Sequence, residues 1–163
     1  MIKCTFEDGG EVLLRHVVID TLVLHNEQLL MVKRTAKLLE GGKWGIIGGF
    51  VDRDETIAQA ALREIYEETG WEVQKLTLLT VIDRPDRPNE DRQNVSFVYF
   101  AEAVKQTGQP DWESDEVRWF DLDDLPPRDQ IAFDHADSID LYRQYRRHNL
   151  TLPLLNRIDA TAT

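Results

Sequence analysis

Three glutamates, Glu64, Glu67 and Glu68, follow Arg63 within a single short run. On a helix advancing ~100° per residue they fall at about 340°, 280° and 20° relative to Ile57, beside an apolar stripe of Ile57, Ala58, Ala61, Leu62 and Ile65. Three carboxylates therefore share one half-sheltered edge. Glu64 and Glu68 are i,i+4 neighbours, and like charges so placed cost ~0.2–0.5 kcal/mol when exposed, more when desolvated. A hard divalent cation removes that penalty, and carboxylate oxygens are ligands that Mg2+ takes. An acidic helix edge alone is equally well a solvated face. The upstream Gly48-Gly49 tips the balance, because main-chain carbonyls approach an ion where no Cβ intervenes. Arg63 is placed to pair with Glu67, or to reach back to Glu55 and fix the preceding loop against the helix.

These residues need a frame. The spacing predicts a helix over 55–69, with Asp54 as N-cap, Glu55 at the positive end of the dipole and Gly70 as a left-handed stop. Before it, 12–24 and 29–32 read as strands around a turn at His25-Asn26-Glu27, and Trp44–Ile47 as a short strand opening onto a flexible Gly48-Gly49 turn. After it, strands are expected over 71–83, 94–104 and 116–120, and a last helix between Ile131 and Arg147. Strands, helix, strands, helix is the order of an α/β sandwich on a mixed sheet.

The chain has 163 residues, which suits one domain over 1–148 with a tail over 149–163. Acidic residues outnumber basic ones 30 to 19, a net charge of −11. That argues against a nucleic-acid duplex or an anionic membrane as main partner, since both need clustered Lys and Arg. The single cysteine, Cys4, allows neither an internal disulfide nor a multi-cysteine zinc site. With no apolar leader and no span of membrane length, a reducing cytoplasmic setting is expected. Leu150, Leu152 and Leu154 alternate in the tail, which suits an extended arm on a neighbouring surface and hence a homodimer, or packing on the chain's own domain.

Gly49, then five residues, Glu55, then seven, then Arg63-Glu64-Ile65-Tyr66-Glu67-Glu68-Thr69-Gly70-Trp71, resembles a complete Nudix box. Leu30–Arg34, Gly42-Lys43-Trp44 and Arg118–Leu125 resemble segments found elsewhere in that family, so the likeness covers roughly 15–145. Ile47 stands where proline is usual, and Trp71 where a smaller aliphatic is usual. The resemblance implies an α/β/α Nudix sandwich that hydrolyses a nucleoside diphosphate linked to another group. Glu64, Glu67 and Glu68 with the Gly48 carbonyl would then hold Mg2+ or Mn2+, and Arg63 would orient the carboxylates. Glu67, Glu64, Glu90, Glu113 and Glu116 are the candidate general bases.

Ile131-Ala132-Phe133-Asp134-His135 resembles a stretch in Nudix proteins of the ADP-ribose-hydrolysing kind, so that class of substrate is favoured. The alternatives are a triphosphate pool-cleaning enzyme and a non-catalytic nucleotide-sensing module. Arg34 and Phe50 are candidates for touching phosphate and base, whereas Trp44 reads as core and His135 as structural. The loop from Arg84 to Gln93 carries three arginines and two prolines in an acidic chain. Arg84 or Arg92 is expected to grip a phosphate or ribose; the alternative is surface arginines paired with Asp86, Glu90 and Asp91.

Overall fold

The computed structural model describes residues 1–87, 89 and 92–155. Its elements are β1 (Ile2–Thr5), β2 (Glu11–Leu14), β3 (Val17–His25), β4 (Gln28–Arg34), β5 (Trp44–Gly45), β6 (Ile47–Phe50), α1 (Ile57–Thr69), β7 (Trp71–Ile82), β8 (Val95–Gln106), β9 (Ser114–Asp121) and α2 (His135–His148). Among the described residues β1 and β2 form a separate hairpin, and the other strands one seven-stranded sheet. Its spine runs β5-β4-β3-β8-β7, with β6 paired to β3 and β9 to β4. The β3–β8 pair is parallel and the rest antiparallel, so the sheet is mixed, as the element order predicts.

Side chains alternate between the faces of β3, and this alternation sorts the core. Ile19 packs with Ala60 and Ala61 of α1, and Val23 with Ile65. Leu22 and Leu24 face the other way, onto Ile139 and Tyr142 of α2. The molecule is therefore the expected α/β/α sandwich. Asp20, which interrupts the apolar run of β3, lies on the α2 side, against His135.

Four local readings need correcting. The helix begins at Ile57, capped by Thr56 in a reciprocal capping box with Gln59, not by Asp54. Asp54 is left-handed at φ 71°, and Glu55 folds back to accept the Asp52 N–H at 2.7 Å. Gly48 and Gly49 are not a flexible turn but residues of β6, opposite Asp20 and Ile19. The long strand read over 12–24 is two, β2 and β3, and the hairpin partner β1 was not read. The last helix starts at His135, because Ile131 is held in a bridge to Trp44 and the Ala132 N–H bonds the Trp44 carbonyl at 2.8 Å. Gly70 is the left-handed stop, at φ 70°.

Within the described tail, the Leu154 N–H bonds the Leu79 carbonyl at 2.7 Å, the Thr80 hydroxyl donates to the Leu154 carbonyl, and Leu152 and Leu154 pack on the α2-side core. These leucines are thus satisfied within their own chain. No helix of the described residues is long and apolar enough to cross a membrane.

Candidate active site

Arg63 is the hub of the α1 edge. Its guanidinium grips Glu55 with two hydrogen bonds, at 2.7 and 3.1 Å, and donates to Glu64 at 2.7 Å, Glu67 at 3.0 Å and the Phe50 carbonyl at 3.0 Å. Both partners expected of it, Glu67 and Glu55, are engaged together. The hydrogen bonds it donates to Glu55 come first among the causes that hold the arginine charged. Helix, preceding loop and β6 are thereby locked into one unit.

Gly49 lies directly beneath Glu64, whose carboxylate occupies the space a Cβ at Gly49 would need. Glu68 is 5% exposed, and its Oε2 is buried with no hydrogen-bond partner. Burial, then the charges of Glu64 and Glu113, push its carboxyl well above the ordinary range. Burial likewise raises Glu64 and Glu113, with Asp111 adding to the latter. Arg34 is the cation opposed to this group; burial lowers its pKa and the charges of Glu68 and Glu113 raise it.

Among the described residues no three His, Cys, Asp or Glu side chains already converge as a ready-made metal cage. The donor set nevertheless fits a hard divalent cation. It offers an orphaned, buried carboxylate oxygen on Glu68, the Glu64 carboxylate whose burial penalises its charge, and a glycine-lined approach that lets main-chain oxygen come near.

Glu64, Glu113 and Arg34 border a cavity of about 340 Å³, which Glu67 and Glu68 do not line. Arg34, Phe50, Gly48, Gly49, Glu113 and Arg92 line it together with Glu64. Arg92 stacks over the Phe50 ring at 5.5 Å, and Arg34 over Phe133 at 5.1 Å. Trp44 is core, packed edge-on to Phe120.

Other expected residues lie elsewhere. Arg84 does not line the cavity: it is spent on Asp86, at 2.9 and 3.1 Å, on the surface. Glu116 pairs with Arg118 on β9, away from the cavity. Glu67 is half-exposed and tied to Arg63. Glu90, Asp91 and Pro88 lie outside the described residues.

Sequence reasoning missed a buried polar network on the α2 side. Arg87 is 8% exposed; it bonds Asp134 at 2.7 Å and Asp20 at 3.3 Å, and stacks on Phe133 at 5.4 Å. His135 lies 3.3 Å from Asp20 and accepts the Ile46 N–H at 3.2 Å, while the Ser96 hydroxyl also donates to Asp20. Burial by itself raises the Asp20 carboxyl, but His135, Arg87 and Ser96 together outweigh it and hold the group well below its usual range. The available signal was a lone Asp within an apolar strand, which demands compensating partners.

A family profile described as NUDIX domain matches residues 14–142. The chain is similar to the ADP-ribose pyrophosphatase of Methanocaldococcus jannaschii, 31% identical over 130 residues, 80% of this chain and 74% of that protein. It is also similar to an 8-oxo-dGDP phosphatase of Danio rerio, 29% identical over 147 residues; it spans 87% of this chain but only 42% of that relative. The crystal structure of a NUDIX hydrolase from Nitrosomonas europaea superposes with a TM-score of 0.76 at 25% identity, covering 96% of this chain and 93% of that one.

Proposed function

This chain belongs to the NUDIX family of hydrolases, and from that premise we propose that it cleaves the diphosphate of a nucleoside diphosphate sugar, ADP-ribose or a close analogue. The observation that carries the reading is the cavity itself. In a chain of net charge −11, Arg34 and Arg92 line one space, two aromatic faces beside them, with Glu64 and Glu113 at its edge. An anionic substrate with a planar base matches that lining. The similarity to an ADP-ribose pyrophosphatase over most of both chains supports the same substrate.

In this reading Glu64, Glu67, Glu68 and the Gly48 carbonyl hold Mg2+ or Mn2+. When bound, such an ion neutralises the diphosphate and acidifies the attacking water. Arg63 acts as a positioning residue, keeping Glu64 and Glu67 in register with the β6 glycines. Arg34 and Arg92 bind the phosphates, Phe50 and Phe133 offer ring faces, and Glu113 takes the proton from water. Burial raises the Glu113 carboxyl above its ordinary value, the direction that favours a general base.

The test is a panel of ADP-ribose, dinucleoside polyphosphates, 8-oxo-dGDP and nucleoside triphosphates, each with Mg2+ and with EDTA. We expect the highest kcat/KM on ADP-ribose, giving AMP and ribose 5-phosphate, and no turnover in EDTA. A preference of tenfold or more for an oxidised nucleotide or a triphosphate would overturn the substrate class. Binding without turnover of any of them would leave a sensing module.

A further inference from the structure

Asn94, two residues before Ser96, lines the cavity and is 8% exposed, yet its amide oxygen is buried with no hydrogen-bond partner. Folded proteins seldom leave such an acceptor unmatched unless something outside the chain supplies the donor. Loop slack does not explain it. Arg15 clamps the main chain here, donating to the carbonyls of Asn94 at 3.2 Å, Asp83 at 2.5 Å and Gln93.

The sheet register shows which part of a substrate would lie there. β6 and β8 flank β3 on opposite edges; Gly48 is opposite Asp20, and Val95 opposite Val17. Asn94, one residue before Val95, is thus displaced from the Gly48 level by about four residues along β3, roughly 13 Å, and by two strand spacings across, roughly 9–10 Å. That is beyond the reach of a diphosphate held at the carboxylate edge. Phosphate oxygens also carry no proton for an amide oxygen to accept at neutral pH. Phe50, whose ring has His16 at 5.1 Å and Arg92 at 5.5 Å, lies at this same end of β6, opposite Val18.

We propose that Asn94 is a specificity residue whose amide oxygen accepts a hydrogen bond from a neutral donor on the nucleoside half of the substrate, a ribose hydroxyl or an exocyclic amine. The inference rests on the diphosphatase reading and adds to it which half of the substrate is read, and by what chemistry.

Steady-state kinetics test it, comparing the wild type with Asn94→Leu and Asn94→Asp on ADP-ribose, its hypoxanthine analogue and its 2′- and 3′-deoxyadenosine analogues. In Asn94→Leu the KM for ADP-ribose should rise about 10- to 100-fold at unchanged kcat. The same change should cost nothing on the one analogue that lacks the donor. The amine and hydroxyl arms identify the source. Asn94→Asp, which retains an acceptor oxygen, should keep the wild type's discrimination. Equal losses of Asn94→Leu on all four compounds, or none, would overturn the proposal. If Asn94→Leu fails to fold, a wild type indifferent to every analogue does the same. A wild type that turns over none of the four but cleaves another nucleotide refutes the substrate reading instead, and the comparison is then run on that nucleotide with its deoxy and deaminated forms.

Discussion

Gly49→Ala separates the chemistry of the site from its architecture. A methyl group at this position would lie 2.7 Å from one Glu64 carboxylate oxygen and closer still to the other. Ordinary contact begins near 3.4 Å, so the farther oxygen must retreat by about 0.7 Å and the nearer by more, a misplacement of the order that costs about 10²-fold in rate. That loss corresponds to about 2.7 kcal/mol of barrier. The fold should tolerate it, because the displaced atoms end a flexible side chain and Gly49 does not have a positive φ. Turnover of the best substrate in saturating Mg2+, measured beside thermal unfolding, is the assay: activity should fall about 100-fold while stability changes by less than about 1 kcal/mol. Gly48→Ala is the contrasting case. Its methyl would meet the Ile19 carbonyl, which is main chain and has nowhere to go, as well as Asp20 Oδ1 at 2.7 Å, so a stability loss of about 1–3 kcal/mol is expected. A folded Gly49→Ala enzyme with turnover within about threefold of wild type would show that the Glu64 position does not matter to catalysis.

Three further outcomes follow from the same geometry. The Glu68 carboxyl is raised above its ordinary 4.5, so its proton favours the folded state; that stability is full below 4.5 and is lost as pH rises through the folded value. In EDTA, Glu68→Gln should accordingly melt above wild type at pH 8, with the gap closing toward pH 4.5, and saturating Mg2+ should reverse the order while leaving the mutant nearly inactive; a mutant that melts lower in EDTA at pH 8 refutes this. Arg92→Ala should raise KM about tenfold with little change in kcat, whereas Arg84→Ala, whose partner is Asp86, should leave both unchanged; equal effects would remove the cavity from the argument. Arg87→Met leaves Asp20 and Asp134 buried beside an apolar chain and should cost about 3–5 kcal/mol by denaturant titration, against under about 1 kcal/mol for Arg84→Met.

What was legible in the sequence was whatever depends on spacing along one element. Glu64, Glu67 and Glu68 share an edge because of helical geometry alone, and Arg63 reaches Glu67 because it lies about one turn away on the same helix. Residue type misled where a tertiary partner competed for the same side chain. Asp54 is by type a better N-cap than most, but Arg63 and the Asp52 N–H recruit Glu55, the chain turns left-handed at 54, and Thr56 caps instead. Gly48-Gly49 resembles a hinge for the same reason that it is not one: the missing Cβ atoms make room for the Ile19 carbonyl and the Glu64 carboxylate.

The buried network was beyond such reading, since its contacts join residues far apart in the chain. Arg87 meets Asp134 47 positions away and Asp20 67 away. Within its own loop, Arg87 is one arginine of three, and nothing local separates it from Arg84. Yet Arg84 is spent on the surface while Arg87 is itself held in the core, stacked on Phe133 and paired with Asp20 and Asp134. An anion-binding residue need not be buried, because its ligand comes to it; an anchoring residue must be, and burial of a guanidinium requires carboxylates already waiting. The lone Asp20 in an apolar strand was therefore the half of this pair that the sequence exposed. The physical demand it makes, for a buried cation from another element, is the one local clue from which the anchoring arginine could have been sought.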